Sequence, residues 1–382
     1  MPEFSLLGGP LLRLGRRLGL VREGMNAVWL GIALGLAAWG VLVILGLLQG
    51  IGGRMFSVAV IGAHVRLLVA IPLFFVCETV VAPRMAEFVR HIVRSGVVPE
   101  SELPDLESAI RRVGRLKDSW VAEVLFLVAV AALPVVEVFV SMPGRTGDWT
   151  SLLDQAETRP TWVLGWHLGF CLPLFRFLLL RWLWHLGLWG YFLWRVERLN
   201  LRLIPTHSDG AAGLGYLEVV HEHFAPLVLA ISAVLSASFA EGLSTGTTTF
   251  GALYYAVPLV FLLTAALFIG PLLVFSRKLW NCRATGLSEY MAMASRYTHA
   301  FDAKWVRDEK ATGESQLGTA DMQSLADLTN SMNVVYGMRW IPAGRRLAVA
   351  LAVSVVVPLA PLLLMAYRWD QVAAWLFEML TG

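Results

Sequence analysis

The chain has 382 residues, of which 57% are hydrophobic and 15% are charged, with a net charge of +3 and a mean hydropathy of +0.64. Soluble proteins contain about 45–50% apolar and about 25% charged residues, so this apolar excess requires a lipid environment. The composition excludes a soluble enzyme, a disordered protein and a secreted disulfide scaffold. Because the net charge is small, we also expect no nucleic-acid partner.

Apolar segments long enough to cross a lipid bilayer recur along the chain. A transmembrane helix needs about 20 residues to cross a hydrocarbon core of about 30 Å. We therefore predict an all-α, polytopic membrane bundle of about seven transmembrane helices. The predicted spans are 26–48, 64–83, 119–140, 161–182, 224–241, 251–276 and 346–367.

The positions of lysine and arginine predict the orientation of these spans. Most of the basic residues outside the spans lie in the segments 1–25, 84–118, 183–223 and 277–345. The alternate segments hold Arg54, Arg145, Arg159 and Arg368. Since basic loops stay on the cytoplasmic side, we predict a cytoplasmic N-terminus and a periplasmic C-terminus.

The remaining segments are predicted to form small helical elements at the membrane surface. A basic cytoplasmic segment at 1–25 precedes the first six spans, which occupy 26–276. Cytoplasmic helices are predicted at 84–118, and a cytoplasmic loop at 195–223.

The larger cytoplasmic segment, 277–345, is predicted to form a small cap of two amphipathic helices at 281–308 and 318–338. It is followed by the last span, 346–367, and by a tail at 368–382 that we expect to lie on the periplasmic surface. No internal repeat is apparent in the sequence.

Three charged residues are predicted to lie at a similar depth in the membrane. Glu78, Glu123 and Arg176 belong to three different spans and fall in the inner third of the bilayer. A charge inside the membrane is costly, so pairing or a water-filled cavity is expected. The cluster indicates either an ion or proton path or a structural pairing with snorkelling to the interface.

The loop between the fourth and fifth spans contains several residues able to bind an anion or a metal ion. Backbone amides at glycine positions can bind anions, and His, Asp and Glu side chains are metal ligands. The alternative is that Asp209 caps the next helix. The candidate residues are His207, Asp209, Gly210, Glu218, His221 and His223. The sequence does not identify a metal or cofactor.

Three classes of function are compatible with these features. The leading hypothesis is a homo-oligomeric channel or transporter for a small ion or solute. The second is a membrane-anchored signalling or assembly component that binds a partner through 277–345. The third is a membrane metalloenzyme that uses the segment from His207 to His223. No motif for nucleophilic, kinase or metalloprotease catalysis indicates an enzyme.

Two sequence motifs resemble an uncharacterised family of bacterial multi-pass inner-membrane proteins. Residues 205–217 read P-T-H-S-D-G-A-A-G-L-G-Y-L, similar to that family's P-T-H-P-D-x-A-G-G-L-G-F-L. Residues 320–330 and 338–342 are similar to its A-D-I-Q-x-L-A-D-L-x-N and M-R-x-x-P, and the start of the second span, Ala63–Arg66, is also similar. Ser208 and Ala212 depart from the family pattern. The resemblance implies a location in the bacterial inner membrane.

Overall fold

The computed structural model describes residue 4 and the ranges 26–140, 162–307 and 320–366. Within these ranges the chain forms helices and no strands, which confirms the predicted all-α class. Apart from Phe4, the predicted basic segment 1–25 lies outside the described residues, and so does the tail 368–382.

The longer helices follow one another in a simple order along the chain. They are α1 (Asn26–Leu48), α2 (Ile71–Arg94), α3 (Leu103–Lys117), α4 (Trp120–Val140), α5 (Leu172–Glu197), α6 (Tyr216–Glu222), α7 (Ala225–Ser244), α8 (Phe250–Phe268), α9 (Ser276–Trp305), α10 (Ala320–Tyr336) and α11 (Arg345–Ala366). Shorter helical segments are Gly52–Met55, Val58–Val60, Ile61–Val65, Arg66–Ala70, Glu100–Glu102, Trp162–Trp166, His167–Cys171 and Gly270–Phe275.

Six helical segments in the described ranges are long and apolar enough to cross a membrane, so the chain is a multi-pass membrane protein. They are Ala27–Leu48, Val58–Arg94, Trp162–Glu197, Tyr216–Ser244, Phe250–Phe268 and Arg345–Leu362. The predicted span 119–140 corresponds to α4, which is helical but is not one of these six. The seventh span therefore stays a prediction.

Several helices have bounds that differ from the prediction. The helical segment containing α2 runs from Val58 to Arg94, so the predicted span 64–83 and the helix after it are continuous. The predicted span 251–276 is shorter, because α8 ends at Phe268 and the chain continues as a 3₁₀ turn, Gly270–Phe275. Gly270 and Pro271 explain this break, since glycine weakens a helix and proline lacks the N–H that would continue it.

The long helix α5 packs against α2, α3 and α4. Its Trp189 is fully buried and donates its indole N–H to Nε2 of His221 on α6, at 3.0 Å. The other ring nitrogen of His221 bonds the carbonyl oxygen of Phe268 at 2.6 Å. His221 thus connects α5 with α6 and with the end of α8.

Close approach of backbones holds α1 against α2. A Cβ atom at Gly35 would lie 2.3 Å from the carbonyl oxygen of Leu67, and one at Gly31 would lie 2.7 Å from the side chain of Phe75. Small residues are common where membrane helices pack closely, because they let the backbones approach. Glycine is therefore required at this contact for steric reasons.

The helices α9 and α10 form a hairpin beyond the spans. Asp321, at the start of α10, accepts hydrogen bonds from Lys304 at 2.8 Å and from the indole of Trp305 at 3.1 Å. At the other end of the hairpin, Arg283 bonds the carbonyl oxygen of Tyr336 at 2.9 Å. We call the end of the bundle that carries this hairpin the hairpin end.

A short repeat, which the sequence analysis missed, interrupts two of the membrane helices in the same way. Residues 66–75 read R-L-L-V-A-I-P-L-F-F, and residues 167–176 read H-L-G-F-C-L-P-L-F-R. In both copies the first five residues form a π-helical turn, and a proline follows at the second position of the next α-helix. The equivalent rings of Phe74 and Phe175 stack at 5.9 Å between centroids. The two interruptions therefore lie at the same level.

The contact between α1 and α2 gives a test of the packing. We expect Gly35→Ala to destabilise the folded protein by about 1–3 kcal/mol, because the added methyl group meets a backbone carbonyl that cannot move independently. Gly40→Ala, on the same helix, is the matched control, since a Cβ atom there meets nothing within 4 Å. Thermal unfolding of both variants in detergent would measure the difference, and equal stabilities would contradict the close contact.

Candidate functional site

An ion pair between α2 and α5 lies in the interior of the bundle. The guanidinium of Arg181 donates to Oε1 of Glu78 at 2.9 Å, and both side chains are largely buried. The surrounding side chains leave no space for a water molecule; they are Phe74, Phe75, Leu178, Trp182 and His185. The pair is therefore tightly enclosed by its neighbours.

A second group of ionisable side chains surrounds the two π-helical turns. The backbone N–H of Gly62 donates to Oε1 of Glu241 at 2.5 Å. Arg66 interacts electrostatically with Glu241 and with Arg176, and His167 lies within range of both arginines. Arg66 and His167 occupy the first position of their respective π-helical turns. The two interrupted helices thus bring equivalent ionisable residues together.

These two groups place buried or half-buried ionisable residues at successive levels of the bundle. The stretch of helix from His167 to His185 rises about 27 Å at about 1.5 Å per residue. His185 in turn interacts with Arg181 and with Lys117, at the end of α3. We call these residues the polar column; its members are Glu241, Arg66, His167, Arg176, Glu78, Arg181 and His185.

The three predicted membrane charges have different positions in this arrangement. Glu78 pairs with Arg181, whereas Arg176 lies in the group around the π-helical turns. Glu123 is buried near the start of α4, one turn before Phe126, whose ring contacts Trp184 on α5. The sequence prediction did not include four further ionisable residues of these two groups: Arg66, His167, Arg181 and Glu241. Each is an ionisable residue inside an apolar segment, which is the signal that could have identified it.

Asp209 organises the loop before α6. Its carboxylate accepts hydrogen bonds from the backbone amides of Ala211 at 2.8 Å, Gly213 at 3.2 Å and Gly215 at 2.7 Å. Burial opposes ionisation of this carboxyl, but the three amide hydrogen bonds outweigh it and lower its pKa. The loop amides thus bind the protein's own carboxylate, whereas the N-cap of α6 is Gly215 and makes no side-chain cap hydrogen bond. His207 adds a contact of 2.9 Å between Nδ1 and Oδ1 of Asp209.

The loop also contains one strained residue at a position where the sequence departs from the family pattern. Ala212 has a φ of 55°, in the left-handed region that glycine adopts more readily. Its neighbours Gly210 and Gly213 also have positive φ, and Gly213 lies against Val97. A glycine at position 212 would adopt this backbone without the strain.

The histidines of this segment do not converge on one point. Both ring nitrogens of His221 are engaged in the core, and Nδ1 of His223 bonds the carbonyl oxygen of Val219 at 2.7 Å. Within the described ranges, no group of three or more His, Cys, Asp or Glu side chains is arranged to hold a metal ion. The geometry thus gives no support to a metal site between His207 and His223.

The loop before α6 and the segment after α10 meet at the hairpin end. Arg339 donates to Oε2 of Glu218 at 2.5 Å and to the carbonyl oxygen of Asp209 at 2.9 Å, and its own backbone N–H bonds the carbonyl oxygen of Gly210 at 2.8 Å. Gly344 leaves room for this ion pair, because a Cβ atom there would lie 2.1 Å from Nη1 of Arg339. The segment after α10 is thus fixed to the loop before α6.

Comparisons of the whole chain with protein-family models, curated proteins and solved structures find no match.

The hydrogen bonds of Asp209 predict a measurable dependence on pH. We expect Asp209→Asn to destabilise the loop by about 1–3 kcal/mol near neutral pH, because one carboxylate serves three buried amides. Since folding lowers the pKa of Asp209, its ionised form stabilises the protein above the unfolded value of about 3.9. This contribution is lost as the pH falls through the lower pKa of the folded state.

Thermal unfolding and limited proteolysis of the loop, measured from neutral to acidic pH, would check this expectation. The difference in stability between wild type and Asp209→Asn should narrow below about pH 3.9. Asp105→Asn is the control, since Asp105 is exposed in the first turn of α3. If the difference in stability between wild type and Asp209→Asn did not change with pH, the charge of the Asp209 carboxylate would not be what stabilises the loop.

Proposed function

We propose that the protein is a homo-oligomeric channel or transporter that moves a small ion or solute across a bacterial inner membrane. The polar column is its pathway, and the Glu78–Arg181 pair is the closed barrier within it. The distribution of lysine and arginine supports a cytoplasmic N-terminus, a periplasmic C-terminus and a cytoplasmic hairpin end. The resemblance of residues 205–217 and 320–342 to bacterial inner-membrane proteins supports the location.

The observation that carries this proposal is the matched interruption of two membrane helices next to buried charges. Interrupted helices at corresponding positions of repeated units are a feature of transporter binding sites, and π-helical turns occur frequently at functional sites. Here both π-helical turns begin with an ionisable residue, Arg66 and His167, and the two interact. If the buried charges served only to hold the helices together, the same π-helical interruption would not be needed in both helices.

The tight enclosure of the Glu78–Arg181 ion pair makes protons the first species to test for transport. A hydrated ion needs an aqueous path, and the space around Glu78 and Arg181 does not hold a water molecule. Protons move along series of Asp, Glu and His side chains in pumps and transporters. The polar column contains two carboxylates and two histidines, Glu78, Glu241, His167 and His185.

Flux through purified protein in liposomes tests this proposal. We expect wild-type protein to carry protons, detected with an internal pH-sensitive dye, or one of Na⁺, K⁺ and Cl⁻, detected with ion-selective electrodes. Glu78→Gln should lower the rate by about tenfold or more, because it removes the ionisable group that pairs with Arg181. The double variant Glu78→Gln/Glu123→Gln should be at least as strongly impaired.

Glu87→Gln is the matched control, because Glu87 lies on the same helix with a side chain that is more than a third exposed. It should retain wild-type flux. The exchanged variant Glu78→Arg/Arg181→Glu tests folding, since it keeps one carboxylate and one guanidinium at the same place. Full flux in Glu78→Gln would contradict the pathway, and no flux of any tested ion in wild type would contradict the transport function.

The homo-oligomeric part of the proposal has support from α8. This helix is apolar enough to span the membrane, yet none of its most apolar stretch is buried within one chain. Tyr254, Tyr255 and Leu262 are strongly exposed on it. Native mass spectrometry of protein in lipid would show the number of copies, and a uniform monomer would contradict this part.

The exposed surface of the hairpin favours a second candidate function. Trp280, Met291 and Met293 are large apolar side chains exposed on α9, as expected for a signalling or assembly component that binds a partner there. Two results together would support this function instead of transport. Wild-type protein would co-purify with a stoichiometric partner that the variant Met291→Ser/Met293→Ser does not bind, and wild-type protein would carry no ion flux.

A further inference from the structure

A cavity of about 340 Å³ opens at the hairpin end, at the point where two spans begin. The spans Tyr216–Ser244 and Arg345–Leu362 both start at its wall. The lining residues are Gly215, Glu218, Val219, Glu222, Arg339, Arg345 and Arg346. Because the ends of spans lie at the level of the lipid headgroups, the cavity faces the headgroup region of the bilayer.

The charged side chains that line this cavity are only partly paired with one another. Glu218 and Arg339 form an ion pair and neutralise each other. Arg345 and Arg346 are exposed at the start of α11, and Glu222 is half-buried at the end of α6. In the part of the chain that the structure describes, none of these three side chains has an ion-pair partner. Two guanidinium groups and one carboxylate thus remain available to a ligand.

We propose that this cavity binds a phosphate group that carries a neighbouring primary ammonium, which is the chemistry of phosphoethanolamine. Arg345 and Arg346 bind the phosphate, since guanidinium groups make charge-assisted and bidentate hydrogen bonds to phosphate oxygens. Glu222 accepts a hydrogen bond from the ammonium. Glu222 disfavours a ligand that is only anionic, whereas a ligand with both charges satisfies both sides of the cavity.

This chemistry occurs both in the headgroup of phosphatidylethanolamine and in free phosphoethanolamine. The position of the cavity at the start of two spans favours the lipid, because basic pockets between membrane helices bind headgroups on the cytoplasmic side. The site is separate from the polar column and does not depend on the transport function.

Lipid retention measured by native mass spectrometry tests the site. The purified, delipidated full-length protein is mixed with equal amounts of phosphatidylethanolamine, phosphatidylcholine and phosphatidylglycerol of the same chain length. Wild type should retain phosphatidylethanolamine in preference to phosphatidylcholine, whose ammonium has no N–H. Arg345→Gln/Arg346→Gln should lower this retention about tenfold, and Glu222→Gln should abolish the preference over phosphatidylcholine.

The control Arg111→Gln/Arg112→Gln removes the same charge from exposed arginines of α3 at the same end of the bundle, and it should behave as wild type. Arg345→Lys/Arg346→Lys keeps the charge and should retain the lipid more weakly than wild type, which separates loss of binding from loss of folding. Equal retention of phosphatidylethanolamine and phosphatidylcholine by wild type would overturn the proposal. Unchanged retention in Arg345→Gln/Arg346→Gln would also overturn it.

Calorimetric titration of the delipidated protein with free phosphoethanolamine distinguishes the two sources. Heat of binding that disappears in Arg345→Gln/Arg346→Gln would identify a soluble ligand. Absence of binding together with selective retention of phosphatidylethanolamine would identify the lipid headgroup. The proposal would be overturned if the protein neither bound free phosphoethanolamine nor selectively retained phosphatidylethanolamine.

Discussion

The ion pair between Glu78 and Arg181 constrains the whole arrangement of the bundle. Either charge alone in an apolar interior would cost several kcal/mol, and removal of one partner from a buried pair is strongly destabilising. The helices α2 and α5 must therefore lie side by side in one register. That register also stacks Phe74 on Phe175 and brings the two π-helical turns to the same level. Next to this pair, α1 and α7 pack against α2, α3 and α4 pack against α5, and α11 packs against α7.

The hairpin end is organised by polar contacts instead of close packing of small residues. Asp209 binds three amides of its own loop, and Arg339 connects that loop with the segment after α10. His221 connects the same region with α5 and α8 through Trp189 and the carbonyl of Phe268. The loop, the hairpin and the spans are thus joined by hydrogen bonds whose partners are far apart in the sequence.

The helical class and most of the spans could be predicted from the sequence, because hydrophobic length and the cost of exposed backbone in lipid leave few alternatives. The breaks in the helices were harder to predict. Pro83 lies inside a continuous helix, whereas Gly270 and Pro271 end one, and only the neighbouring helices decide between these outcomes.

The candidate site could also be predicted only in part, because the pairing of its charges depends on how neighbouring helices pack. Glu78, Glu123 and Arg176 were identified because a charge in an apolar segment is conspicuous. The partner of Glu78 could not be identified, since Arg176 and Arg181 lie on the same helix and the choice depends on the rotation of α5 against α2. The relative positions of the loop histidines could not be predicted either: His221 points into the core, whereas His207 stays in the loop.

The paired π-helical turns also have a mechanical consequence. A π-helical turn contains one residue more than the α-helical turn it replaces, so it is a local insertion that can be absorbed by small changes of backbone torsion. Two parallel helices that carry this insertion at one depth place their irregular backbone turns in one plane across the bundle. The part with Glu241 and Arg66 lies on one side of that plane, and the Glu78–Arg181 pair lies on the other. A displacement along the plane would change the distance from Arg66 and Glu241, on one side, to the Glu78–Arg181 pair, on the other.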